Sequence, residues 1–129
     1  MQNTNRTVIT VGIVILIVII GVLVFVSQAP SGPGKLDAFA QCLGTNGAKF
    51  YGAFWCPHCQ NQKAMFGTSK QYLPYVECST PDGQDQNALC TAIGVKSYPT
   101  WVFADNSTST GEIPLATLAE KTKCMLPQI

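Results

Sequence analysis

The chain has 129 residues and a formal net charge of +1, from eight basic and seven acidic side chains interspersed along it. That balance lacks the basic stripe of a nucleic-acid binder, and six cysteines are many for a reducing cytosol but ordinary for an oxidising compartment. Beyond an apolar N-terminal stretch, the length holds one α/β domain of roughly a hundred residues.

Residues 1–7 form a short polar start, and residues 8–26 a continuous apolar segment broken only by Thr10, Gly12 and Gly21. As a helix that segment spans about 28 Å, close to the hydrocarbon thickness of a bilayer. A core helix in so small a domain would not be apolar on every face. The apolar part of a signal peptide is shorter, roughly 7–15 residues. Ser27-Gln28-Ala29 resembles a cleavage site, but Pro30 directly after it disfavours the cut. Residues 8–26 therefore read as an uncleaved, single-pass anchor in the cell membrane. Arg6 keeps the start of the chain in the cytoplasm, so the domain is extracytoplasmic.

Residues 27–34, Ser-Gln-Ala-Pro-Ser-Gly-Pro-Gly, read as a linker, and residues 35–129 as the folded domain. Leu36, Phe39, Ala40 and Leu43 recur at helical spacing and predict a helix over 35–43, stopped by Gly44 and Gly47. Strands are expected over 49–54 and 73–78, with a helix from the dithiol to about Lys70 between them; Met65 and Phe66 are assigned to the core. A turn at 79–84, a helix over 85–93 ended by Gly94, and strands over 99–104 and 108–112 follow. A last helix runs from Pro114 to about Cys124.

The chemistry concentrates in Phe50-Tyr51-Gly52-Ala53-Phe54-Trp55-Cys56-Pro57-His58-Cys59, an apolar strand running into two cysteines. Pro57 suits a first helical turn, where its missing N–H has no intrahelical partner. Cys56 then sits at a helix N-terminus, where free N–H groups and the macrodipole favour a thiolate. Cys59, three residues on, shares its face and can close a short disulfide with it. Zinc wants four ligands, usually two such pairs, and only one pair exists. Covalent haem needs His directly after the second Cys, where Gln60 stands. The reading is thus a redox dithiol with no metal and no cofactor; a purely structural disulfide is the alternative.

Residues 35–124 resemble a thioredoxin-fold domain, a central mixed sheet flanked by helices. Trp55-Cys56-Pro57-His58-Cys59 and Ser97-Tyr98-Pro99-Thr100 carry the likeness. It implies a cis Pro99 packed beside the dithiol. The Cys-Pro-His-Cys tetrapeptide is similar to that of DsbA-type disulfide oxidoreductases, whose helical insertion has no room before Leu73. A nearer resemblance is to the compact thioredoxin-like domain fused to, or partnering, bacterial homologues of vitamin K epoxide reductase. Phe50–Cys59, Leu73–Cys78, Cys90 and Tyr98-Pro99-Thr100-Trp101 carry that one. The reductase's own helical bundle is absent from this chain.

Thioredoxins proper have a buried Asp where this chain has Phe50, a departure that speaks against a general reductase. A protonated His58 would stabilise a Cys56 thiolate and make the disulfide more oxidising; as a plain solvated side chain it would not. The resemblance supports a structural disulfide between Cys78 and Cys90, worth about 3 kcal/mol by chain closure; a second redox pair is the sharper alternative. Cys42 and Cys124 either pair with each other or stay free. Trp55, Pro57 and Tyr98, with Phe54 as either rim or core, make an apolar rim for extended peptides, and the backbone beside Pro99 offers hydrogen bonds that ignore side chains.

These residues lead to one expectation: an extracytoplasmic enzyme exchanging disulfides at Cys56–Cys59. Exported cysteine-containing proteins are its substrates, and a quinone-linked membrane oxidase of the vitamin K epoxide reductase type reoxidises it. The rivals are a tethered reductase or isomerase fed by a transmembrane electron donor, and a non-enzymatic binding module.

Overall fold

The computed structural model describes residues 2–27 and 32–128. Helix α1 (Gln2–Ser27) is a unit by itself, and the chain from Pro33 onward forms a second. Within α1, Arg6–Val24 is apolar and long enough to cross a membrane, with none of it buried inside the chain. The hydroxyl of Thr10 donates to the Arg6 carbonyl at 2.7 Å, so this polar group is satisfied within the helix itself. Of the expected linker, residues 28–31 lie outside the described residues. Ser27 closes α1, and Gly34 belongs to the domain: its N–H donates to Asp37 Oδ2 at 2.9 Å. A Cβ on Gly34 would meet Ser69 Oγ at 2.2 Å, so only glycine fits that approach.

The domain's elements follow the expected order, most with shorter bounds; the first helix instead lies two residues later than expected and runs through Gly44. Helix α2 (Asp37–Thr45) buries Phe39, Ala40 and Leu43, and strand β1 is Lys49–Gly52. The strand ends two residues early because the chain turns at Ala53, whose carbonyl accepts from the Cys56 N–H at 3.0 Å. Helix α3 (Pro57–Ala64) also stops short of Lys70. Gly67, at φ +53°, ends regular helix, and a 3₁₀ turn (Gly67–Tyr72) takes over. This break corrects one core assignment. Phe66 is buried and stacks on Phe39 at 5.9 Å, but Met65 caps the helix and is 38 % exposed.

Strand β2 (Tyr75–Glu77) precedes α4 (Ala88–Ile93), which starts at a true cap: the Asn87 side chain accepts from the Cys90 N–H at 3.0 Å. Gly94, left-handed at φ +83°, closes it. Strands β3 (Thr100–Val102) and β4 (Thr108–Thr110) and helix α5 (Leu115–Thr122) complete the domain. The sheet order is β2-β1-β3-β4, with β1–β2 parallel and the other pairs antiparallel.

Because strand side chains alternate in direction, β1 serves two cores. Phe50 packs with Trp101, stacked at 4.8 Å, and with Phe39, Leu43, Phe66 and Leu118 on one face. Tyr51 packs with Cys78, Cys90 and Val95 on the other. The central, parallel-paired strand therefore ends at the dithiol with both faces covered. Its C-terminal end is held in place.

Candidate active site

Cys56 is the N-cap of α3, in extended backbone (φ −77°, ψ 118°), and Pro57 takes the first helical position. Both Cys56 and Cys59 are free thiols. Both are buried, Cys59 completely and Cys56 to 5 % exposure. The Cys56 thiol makes no capping bond to α3. It donates instead, weakly, to the Tyr98 carbonyl at 3.8 Å. The Tyr98–Pro99 peptide is cis, and Pro99 is buried. Burial first, then the neighbouring Cys56, pushes the Cys59 thiol up to about 12, while the Ala53 backbone and Lys63 oppose the shift. At neutral pH Cys59 keeps its proton. Cys59 is thus the more enclosed of the two sulfurs.

His58 has a different partner from the one its position suggests. Its exposed ring places Nδ1 2.7 Å from Glu112 Oε1, which also accepts from Asn61 Nδ2 at 3.0 Å. The Asn61 hydrogen bond, then His58, holds the Glu112 carboxyl below its ordinary range. A carboxylate beside the imidazole favours Nδ1–H as donor and offsets the field that a protonated His58 would cast on Cys56.

Around Cys56 the side chains form an apolar rim. Phe54 is 48 % and Trp55 52 % exposed, which decides Phe54 as rim rather than core; Pro57 is exposed too. Trp55 is fixed from behind, with Nε1 donating to Ser79 Oγ at 2.9 Å and its ring edge-on to Tyr98 at 6.1 Å. The Tyr98 hydroxyl in turn donates to Gln86 Oε1. This leaves an exposed apolar face around the nearly buried Cys56.

The other four cysteines are joined in two disulfides. Cys78 and Cys90, both fully buried, link the end of β2 to α4, with Cα atoms 5.5 Å apart. Cys42 and Cys124 link α2 to the residues after α5, with Cα atoms 5.9 Å apart. Among the described residues no cluster of three or more His, Cys, Asp or Glu is placed to hold a metal ion.

Sequence reasoning passed over four groups beside the dithiol. Gly52 lies against Cys59: a Cβ there would sit 2.8 Å from the sulfur and 3.0 Å from Tyr75 Cε2. Lys63 lays its ammonium 3.3 Å from the centre of the Tyr75 ring, and the Tyr75 hydroxyl donates to Glu77 Oε2 at 2.8 Å. Glu77 Oε1 accepts from the Phe54 and Ser79 N–H groups at 3.2 and 2.9 Å. Buried Gln62 accepts from Ile113 N–H at 2.6 Å and from Trp101 Nε1 at 3.4 Å. Only Lys63 carried a usable signal, standing one helical turn after Cys59.

Two free thiols at the head of a helix, Cys56 5 % exposed and Cys59 fully buried, can make and break one disulfide without a metal or cofactor. That places the domain among the thiol–disulfide oxidoreductases. The chain belongs to the thioredoxin family, whose model, described as thioredoxin, matches residues 48–123. It is also 46 % identical over 96 residues to a protein of Arabidopsis thaliana named thiol-disulfide oxidoreductase LTO1. The shared stretch is 70 % of this chain and 25 % of that protein, so the chain spans about a quarter of its relative's length.

Proposed function

We propose that the protein is a membrane-anchored oxidase of protein thiols, with its domain outside the cytoplasm and α1 as the anchor. A substrate thiolate attacks Cys56 of the Cys56–Cys59 disulfide, and the bond to Cys59 breaks with its electron pair on Cys59. A second substrate thiolate then attacks the substrate sulfur of the mixed disulfide. The substrate leaves oxidised and the dithiol is left reduced. Reoxidation passes two electrons and two protons to a quinone through a membrane oxidase of the vitamin K epoxide reductase type. The anchor concentrates the domain near that partner. Exported cysteine-containing proteins are the clients, held by Trp55, Pro57 and Tyr98 and by the backbone beside Pro99.

The observation that carries this reading is the inequality of the two sulfurs. Cys56 is 5 % exposed and bordered by an apolar rim, whereas Cys59 is fully buried and protonated. Attack is thereby directed to Cys56. Phe50 stands where thioredoxins have their buried Asp, which supports oxidation over general reduction. One observation favours the reverse direction: Glu112 beside the His58 ring would offset any field that a protonated His58 casts on Cys56, and a less stabilised reduced form is a weaker oxidant.

Equilibration of the full chain with glutathione buffers decides the direction. An oxidase gives a potential between about −120 and −180 mV, whereas a value near about −270 mV refutes the proposal and favours a tethered reductase. In cells, Cys59→Ala should trap mixed disulfides with exported proteins. A trap that captures none would support a binding module.

A further inference from the structure

We propose that Lys63 is the general acid that protonates Cys59 when the Cys56–Cys59 disulfide opens. The inference rests on the exchange reading above and names the residue that completes its first step. Cys59 and Lys63 lie four residues apart on α3, hence on the same face. From the sheet side, Gly52 has no side chain, and the space a Cβ would fill is bounded by Cys59 Sγ at 2.8 Å and Tyr75 Cε2 at 3.0 Å. The Lys63 ammonium rests on that same Tyr75 ring, 3.3 Å from its centre. The Tyr75 hydroxyl is tied to Glu77, whose other oxygen is pinned by two backbone N–H groups. The ammonium is thus held on a carboxylate-tied ring that borders the space next to the buried sulfur.

The position has a use. When a thiolate bonds to Cys56 Sγ, the electron pair of the broken S–S bond stays on Cys59, which is closed to bulk solvent. A buried thiolate of that kind needs a proton. Lys63 supplies one, becomes a neutral amine, and recovers its proton from solvent, to which it is partly open. In reverse, the amine takes the Cys59 proton as the disulfide closes. Four groups face Lys63: Cys59 on its own helix, Tyr75 and Glu77 on β2, and Lys70 on the 3₁₀ turn. Burial above all, with Lys70, lowers the ammonium from its ordinary 10.5, against the pull of Glu77 and Cys59. With Cys59 raised to about 12, Lys63 is the stronger acid, and the transfer runs downhill. The carboxylate that thioredoxins keep under the dithiol is missing at Phe50; a lysine from the helix and a glutamate from β2 occupy the region instead.

The test uses the full-length oxidised chain in detergent and glutathione as the probe thiol. Opening of Cys56–Cys59 is followed by Trp55 fluorescence and by the mass of the acid-quenched mixed disulfide. Rates are expressed per glutathione thiolate. The wild-type rate is expected to be flat near neutrality and to fall at alkaline pH as Lys63 loses its proton. Lys63→Met should slow opening by roughly a hundredfold and abolish that fall. Lys63→Arg should stay as slow, because a guanidinium keeps the charge but does not release a proton. Glu77→Gln should move the alkaline fall to lower pH. Opening of Lys63→Met at the wild-type rate would sink the assignment. Full activity of Lys63→Arg would also overturn it, by showing that charge alone suffices. If glutathione fails to open the wild-type disulfide at Cys56, the exchange reading itself is wrong.

Discussion

Remove Cys56 and the buried sulfur must reveal its own ionisation. In Cys56→Ser, Cys59 loses the neighbouring thiol that helps to raise it but keeps the larger cause, complete burial. The structure raises this thiol from 9.0 to about 12. Three units correspond to roughly 4 kcal/mol against the thiolate, a thousandfold drop in its fraction at neutral pH. Iodoacetamide reacts with the thiolate alone, and the two disulfides leave Cys59 as the one free cysteine of the variant. In urea, the labelling rate of the full-length variant should climb with pH and level off near the ordinary thiol range. In the folded protein, where burial remains but the Cys56 contribution is gone, it should be lower at neutral pH by up to about a thousandfold. It should also keep rising about tenfold per pH unit well beyond pH 10. Steric shielding alone would slow the reaction but leave the plateau where it is in urea. A folded-state plateau at the same pH as the unfolded one would refute the account of Cys59, and with it the directional attack at Cys56.

The same shift has a stability consequence with a definite sign. A thiol raised on folding contributes stability that is present below its unfolded value and is lost as pH climbs through the folded one. Urea midpoints of the reduced protein should therefore fall relative to the oxidised form between pH 9 and about 12, by up to roughly 4 kcal/mol; parallel curves would contradict this. Gly52→Ala puts a Cβ within 3.0 Å of both the Cys59 sulfur and the Tyr75 ring. It should cost about 1–3 kcal/mol and slow exchange with glutathione, and unchanged stability and rate would show that the site has slack. Gln62→Leu leaves the Ile113 N–H and the Trp101 indole without their partner, a loss of roughly 2–4 kcal/mol in urea denaturation. The disulfides close stretches of 82 and 12 residues. Removing both cysteines of the Cys42–Cys124 pair should cost about 4.5 kcal/mol, and of the Cys78–Cys90 pair about 3 kcal/mol, by loop-closure entropy. The reverse order in denaturant titrations would mean that burial of the Cys78–Cys90 pair, not loop length, governs.

Local rules were enough to read the frame of this domain. A β-branched-poor but aromatic strand ending in Cys56, a proline at the first helical position and a glycine after Ile93 each act within a few residues, so their signals sit side by side in the chain. Errors at that level were of length. The helix after the dithiol was drawn through to Lys70 because nothing in its apolar spacing announces the 3₁₀ turn, although Gly67 marks its place. Met65 moved from core to surface for the same reason: a helix that ends early turns its last residues outward.

What the sequence by itself determined is the chemistry and its location: two sulfurs at a strand-to-helix junction, an apolar helix ahead of the domain, and a proline loop to meet them. Folding alone decided who stands beside whom. His58 meets Glu112 across 54 residues, Asn46 donates to Thr122 across 76, and Cys42 finds Cys124 across 82. Such pairs leave no periodic trace, since tertiary packing brings together residues whose separation along the chain is arbitrary. The ionisation of Cys59 belongs to the same category, because burial is a property of everything packed around a sulfur and not of its neighbours in the chain.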